Sequence, residues 1–261
     1  MNQTFDIHRF ALLLRLNFAE KGKSYLLMGA LLIVVLLAMV LPLALYNGFS
    51  DLLLILHFLA LFMVVMFGGS LYTSVAFGQY GPPNTGIAAI MVPASQFEKF
   101  LVSLLVNLLF TVPVAIFYVK FHYWSVDFAN SKLPAKAHKY NTLPVDIMKY
   151  FIYLHIVIQG ATILGSIYFR KLAYIKTAGI FLIIMILFTI INLTLIYQYT
   201  SDPSRVVAFP FGSWQIYYYE MNQYYNLDYS EATKNLIYAF PIFFLLSTWF
   251  ISYVRLKEKQ I

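Results

Sequence analysis

The sequence has no cysteine among its 261 residues. Structural disulfides, thiolate metal sites and cysteine nucleophiles are therefore excluded, and the redox compartment stays open. Charge is scarce as well. Asp, Glu, Lys and Arg together make 11% of the chain, against about 25% in an ordinary soluble domain. That scarcity excludes a disordered chain and a solenoid of charged helices. Catalytic signatures are also missing. There is no His-Glu-x-x-His and no Gly-x-Ser-x-Gly. Gly22-Lys23-Ser24 is not a phosphate-binding loop, because that loop needs a second glycine where Asn17 stands. No nucleotide site, and no cofactor of any kind, is expected in this chain.

Apolar side chains fill the space. They make 61% of the residues, against roughly 45–50% in soluble domains. A water-soluble globule of this size has too little interior to hide them. The net charge of +7 fits basic residues flanking membrane spans and meeting anionic headgroups. Without a basic stripe interleaved with exposed aromatics, nucleic acid is not an expected partner.

A hydrocarbon core about 30 Å thick needs about 20 apolar residues of helix. Six stretches free of Asp, Glu, Lys and Arg meet that length: 24–46, 52–76, 100–119, 150–169, 177–199 and 235–254. Runs such as Leu31–Leu37 and Ile180–Leu187 are apolar all round, whereas barrel strands alternate. The expected fold is all-α, a single transmembrane domain over 1–261 with six spans. Residues 5–18 carry Phe5, Ile7, Phe10, Leu13, Leu14 and Phe18 among polar groups, which predicts an amphipathic helix lying in the headgroup layer before the first span. The first apolar run is longer than a signal-peptide core, so it is expected to remain as a span.

Basic residues set the orientation. Arg9, Arg15, Lys21, Lys23, Lys99, Arg170, Lys171, Lys176, Arg255, Lys257 and Lys259 fall on the side of the N-terminus, against Lys120, Lys132, Lys136, Lys139, Lys149, Arg205 and Lys234 on the other. Both termini are expected in the cytoplasm. The outer loop 200–234 is rich in Tyr, Phe and Trp, and it is read as a short interfacial helix in a compact cap.

Within the spans the polar residues His57, Asn107, His155, Gln159 and Asn192 read as interhelical hydrogen-bonding groups. Gly68-Gly69, Gly160 and Gly165 read as points of close helix contact. None of the spans holds a carboxylate, which disfavours a proton-coupled carrier. His122, Asp127 and His138 share one loop but lack metal-ligand spacing, so no metal is expected.

The inner loop 77–99 is broken by Gly78, Gly81, Pro82, Pro83 and Gly86. Ser95 with Glu98 three residues on is a capping-box pattern that starts a new helix. Val92, Pro93, Ala94, Ser95, Phe97, Glu98, Lys99, Phe100 and Leu101, between the second and third of six spans, resemble the corresponding segment of permease subunits of type 2 ABC transporters, the exporter class. The tail Tyr253–Lys259 is similar to those of small bacterial members. Gln96 stands where many members carry Arg. The resemblance implies a non-enzymatic transport subunit in a bacterial inner membrane, paired with a second permease copy or a similar permease. It implies a separate ATP-binding-cassette ATPase docking on loop 77–99, with Pro93, Ala94, Ser95, Phe97, Glu98 and Lys99 as the coupling residues. The alternative reading is an ATPase-independent carrier or channel, or a membrane-embedded assembly protein.

Overall fold

The fold is known from a computed structural model, which describes residues 4–80, 91–169, 171–200, 205–208, 214–219, 223–227 and 229–258. The described residues are overwhelmingly helical. In chain order the elements are α1 (Ile7–Leu45), α2 (Asp51–Ala60), a π-helical stretch (Leu61–Gly68), α3 (Gly69–Thr73), α4 (Gln96–Lys132), α5 (Val145–Tyr168), α6 (Ala173–Tyr199), strands β1 (Arg205–Val207), β2 (Trp214–Tyr218) and β3 (Gln223–Leu227), and α7 (Glu231–Glu258). Six helical runs are long and apolar enough to cross a membrane, with α2, the π stretch and α3 forming the second. The chain is an all-α, multi-pass membrane protein.

The helix expected over 5–18 is present, and it runs without a break into the first span. Nothing between Phe18 and Ser24 stops it: Gly22 is tolerated inside a helix, and Ala19, Glu20 and Lys21 are strong helix formers. Asp6 caps its start by accepting from the His8 and Arg9 backbone N–H groups at 2.7 and 3.1 Å. At 1.5 Å per residue the 39 residues of α1 extend about 58 Å. The 37 residues of α4 extend about 55 Å, so it also outreaches a hydrocarbon core. α4 takes up much of what reads in sequence as the loop 120–149, because no glycine or proline interrupts Phe121–Lys132.

The outer loop 200–234 departs from expectation. Its described residues form a three-stranded antiparallel sheet, β1-β2-β3, and none is helical between Arg205 and Leu227. Tyr, Trp, Val and Ile, which dominate here, pack well on a pleated surface and lose rotamer freedom in a helix. In the sheet Ile216 pairs with Val206 on one side and Tyr225 on the other. Ile216 is buried with Ala208 and with Ile196 of α6, which seats the sheet on the end of that helix.

The two ends of the bundle are built differently. At one end Phe77, Tyr80, Phe100, Ile163, Ile167 and Leu256 form a cluster, so the end of α3, the start of α4, the end of α5 and the end of α7 meet there. Phe5 packs edge-on against Phe97 at that end as well, which brings both termini to the same face. At the other end Leu43, Val126, Ala129 and Tyr140 cluster, and the Tyr140 hydroxyl donates to Gly48 O at 2.8 Å. Between the ends, the outward faces remain apolar. Leu182, Ile183, Ile186 and Leu187 of α6 are all more than half exposed, as suits a surface solvated by lipid rather than water.

Candidate functional site

The residues singled out for coupling lie at the start of α4: Pro93 and Ala94 in the bend before it, Ser95 at its N-cap, and Phe97, Glu98 and Lys99 in its first turn. Val92–Ala94 bend, with the Ala94 N–H reaching Val92 O at 2.8 Å. Ser95 is the N-cap in extended backbone, and both halves of the capping box form. The Glu98 N–H donates to Ser95 Oγ at 3.2 Å, and the Ser95 N–H donates to Glu98 Oε2 at 2.7 Å. The capped turn is the first turn of α4 itself, since no helix breaker lies between Gln96 and Pro113.

The side chains of this turn divide into two sets. Pro93 and Phe97 are exposed, Phe97 by 43%. Its ring lies edge-on between Phe5 at 6.0 Å and Tyr253 at 5.9 Å. Glu98 has no exposed surface and Lys99 only 3%, so both turn inward. The second Glu98 oxygen, Oε1, accepts from the Asp6 N–H at 2.7 Å and from Arg9 Nη2 at 3.0 Å. Arg9 Nη2 also donates to Thr4 O at 2.6 Å. Glu98 is therefore a clasp that ties the start of α1 to the start of α4, and the hydrogen bonds it accepts compensate the burial of its charge. The Arg9 and His8 N–H groups that bond Asp6 hold its carboxyl below the ordinary carboxylate range. Gln96 Oε1 is buried with no hydrogen-bond partner among the described residues.

Sequence spacing pointed to Ser95 and Glu98 but not to Asp6 and Arg9, which lie some 90 residues away in the chain. The only signal for them was a basic residue in the amphipathic N-terminal helix. Residues 81–90 of loop 77–99 lie outside the described residues.

Two polar clusters sit deeper in the bundle. In the first, the Leu143 N–H donates to His122 Nε2 at 3.1 Å, the two Nδ1 atoms of His122 and His57 are 2.9 Å apart, and His57 Nε2 lies 3.1 Å from Val40 O. One tautomer set satisfies every contact: Leu143 N–H gives to His122, His122 Nδ1–H gives to His57, and His57 Nε2–H gives to Val40 O. Both rings are then neutral. His138 packs elsewhere, edge-on to Phe49 at 4.5 Å. Among the described residues no group of three metal-ligating side chains forms.

The second cluster joins α3, α4 and α5. Thr73 Oγ1 bonds Asn107 Oδ1 at 2.8 Å and also meets Gln159 Oε1, and Gln159 Nε2 lies 3.0 Å from His155 Nε2. Of the five polar residues expected to link helices, His57, Asn107 and Gln159 do so, His155 bonds Gln159 of its own helix, and Asn192 stands apart on α6. Thr73 was not singled out, because a lone threonine in an apolar helix usually bonds its own backbone.

No family model matches the chain, and neither a characterised protein nor a solved structure is similar to it.

Proposed function

We propose that this chain is the membrane-spanning permease subunit of a bacterial ABC-type exporter of the type 2 class. On this reading both termini are cytoplasmic, two permeases assemble in the inner membrane, and a separate ATPase docks on the face that holds Pro93, Ala94 and Phe97. The observation that carries the proposal is the rigid start of α4. A proline-bounded turn, a complete capping box and the Glu98 clasp to α1 join there. A push delivered at such a point moves a whole helix rather than fraying its end. Because Phe97 also touches Phe5 and Tyr253, the push reaches α1 and α7 together. Closure of an ATPase pair would thereby bias a rigid-body equilibrium between inward- and outward-open states.

Phe97 supplies the exposed apolar anchor. Glu98 and Lys99 serve from inside, holding the turn to the bundle. The chain is read as a transport subunit, with the ATP chemistry in its partner.

The cysteine-free background makes the test clean. A single cysteine replacing Phe97 should react with a membrane-impermeant thiol reagent in inverted vesicles and stay unlabelled in intact cells. An ATPase subunit should co-purify with the parent chain and be lost with Phe97→Asp. Labelling of position 97 from outside intact cells would overturn the docking account. Recovery of the chain with no ATPase would favour the carrier alternative.

A further inference from the structure

A cavity of about 480 Å³ lies inside the bundle, between the π stretch, α4, α5 and α7. That volume falls within the range of about 300–1,000 Å³ typical of small-molecule sites. Its walls are mostly apolar, with a polar patch formed by Asn107, Thr111, His155, Gln159 and Trp249 and, farther along α4, Tyr118 and Lys120. Along α4 the lining runs from Asn107 to Lys120, a helical rise of about 20 Å. The cavity is thus a long slot with a polar patch toward one end. It also has a way in. Val112 and Ile116 of α4 and Ile152 of α5 line the slot and are 46, 53 and 50% exposed, so the space opens between these two helices on the face that meets lipid.

Two atoms in the patch have unmet hydrogen-bonding capacity among the described residues. His155 Nδ1 and Trp249 Nε1 are both buried, and no described residue is a hydrogen-bond partner to either. The other imidazole nitrogen of His155 is engaged by Gln159. An indole N–H donates only, so Trp249 needs an acceptor, and because the Gln159 amide nitrogen donates to His155 Nε2, the imidazole proton sits on Nδ1 and His155 needs one too. Both needs are met by an acceptor oxygen, which a hydroxyl group supplies without bringing a charge. Among the described residues no carboxylate lines the cavity, and Lys120 at the far end is the one cationic side chain. A charged head would therefore find no counter-ion at the patch. Water at the patch would offer acceptor oxygen to these nitrogens but leave the apolar slot unfilled.

We propose that this slot is a binding site for a neutral, long-chain amphiphile bearing a single hydroxyl, which enters sideways from the bilayer, lays its chain along α4 and α5, and presents its hydroxyl oxygen as an acceptor to the patch of His155 and Trp249. The site requires only that the chain spans a membrane, and it stands or falls independently of any ATPase.

The test uses the full chain in lipid nanodiscs and a pair of photoreactive probes. One is hexadecanol carrying a diazirine in its chain, and the other is the matching diazirine hexadecane. The alcohol should label α4 and α5 saturably, and unlabelled hexadecanol should compete while hexadecane does not. Trp249→Phe and His155→Phe should each weaken saturable labelling about fivefold to tenfold, the loss of one hydrogen bond. Ala115→Phe, which fills the slot, should abolish it, and Val119→Phe serves the same purpose if the first variant does not fold. Equal saturable labelling by both probes would show a slot that takes bulk acyl chains without regard to the hydroxyl, overturning the proposal. So would labelling that persists in a folded slot-filling variant, or the absence of any saturable labelling.

Discussion

Glu98 illustrates how much one buried carboxylate can hold. Its two oxygens accept from three separate groups, the Ser95 and Asp6 backbone amides and the Arg9 guanidinium. Glu98→Gln keeps the shape but removes the charge and turns one acceptor into a donor. It should cost about 2 kcal/mol and should expose residues 4–10 to limited proteolysis before the bundle unfolds. Asp6 behaves differently because it sits in solvent. Its lowered folded pKa means that the cap is fully effective above the ordinary carboxylate range and is lost as the pH falls through the folded value. Amide exchange at His8 and Arg9, corrected for its intrinsic pH dependence, should accelerate on acidification, and Asp6→Asn should remove that dependence. The His57–His122 pair is a closed chain of donors and acceptors. Replacing His122 by Phe strands the Leu143 N–H and the His57 nitrogen together, at about 2–3 kcal/mol. The double variant with His57→Phe should cost less than the two single changes added, which thermal unfolding in detergent can measure.

Among the elements, close helix contacts depend on what faces each glycine. A Cβ at Gly160 would stand 2.7 Å from Thr248 Oγ1 and 3.3 Å from the Phe244 ring. A Cβ at Gly165 would collide with Thr177 of α6. Gly179, in contrast, has open space around it. Gly160→Ala should therefore lower stability by about 1–3 kcal/mol while Gly179→Ala is neutral or slightly stabilising, and parallel melting curves would separate them. The junction between α5 and α6 carries its own strain. Leu172 adopts φ 54° and ψ 39° as the N-cap of α6, a left-handed conformation that costs a β-carbon-bearing residue about 1–2 kcal/mol. Leu172→Gly should raise the melting temperature, since the relief of strain exceeds the added freedom of the unfolded chain. The expectation of close contacts at Gly160 and Gly165 came directly from sequence. The clash partners Thr248 and Thr177 did not, because they belong to helices whose facing rotation only packing sets.

For the whole molecule, helix length and the distribution of exposed apolar residues carry most of the argument. Positions 97 and 131 are the near and far ends of α4, separated by a helical rise of about 51 Å. A hydrocarbon core of about 30 Å cannot cover both. Single cysteines at the two positions should therefore be labelled from opposite sides of the membrane. Their labelling from the same side would mean that α4 lies along the bilayer instead of crossing it. The shared end of the two termini follows from Phe5 and Tyr253 both packing on Phe97, as an even number of crossings requires.

The six apolar runs, the capping box and some of the polar residues that bridge helices, His57, Asn107 and Gln159 but not Thr73 or His122, were legible in the sequence, because each is a local pattern with a local physical cause. A run free of charge is sorted into lipid, a serine three residues before a glutamate closes its own helix end, and a buried amide must find a partner. Tertiary structure alone decided which partner each group found. It turned Glu98 inward to Asp6 and Arg9, set His57 against His122, and gathered Asn107, Gln159 and His155 around one slot, since these meetings depend on how helices rotate and pack across long separations in the chain. It also made a sheet of the aromatic outer loop. There the composition suited both an interfacial helix and a strand, and the seat offered by the end of α6 went to the strands.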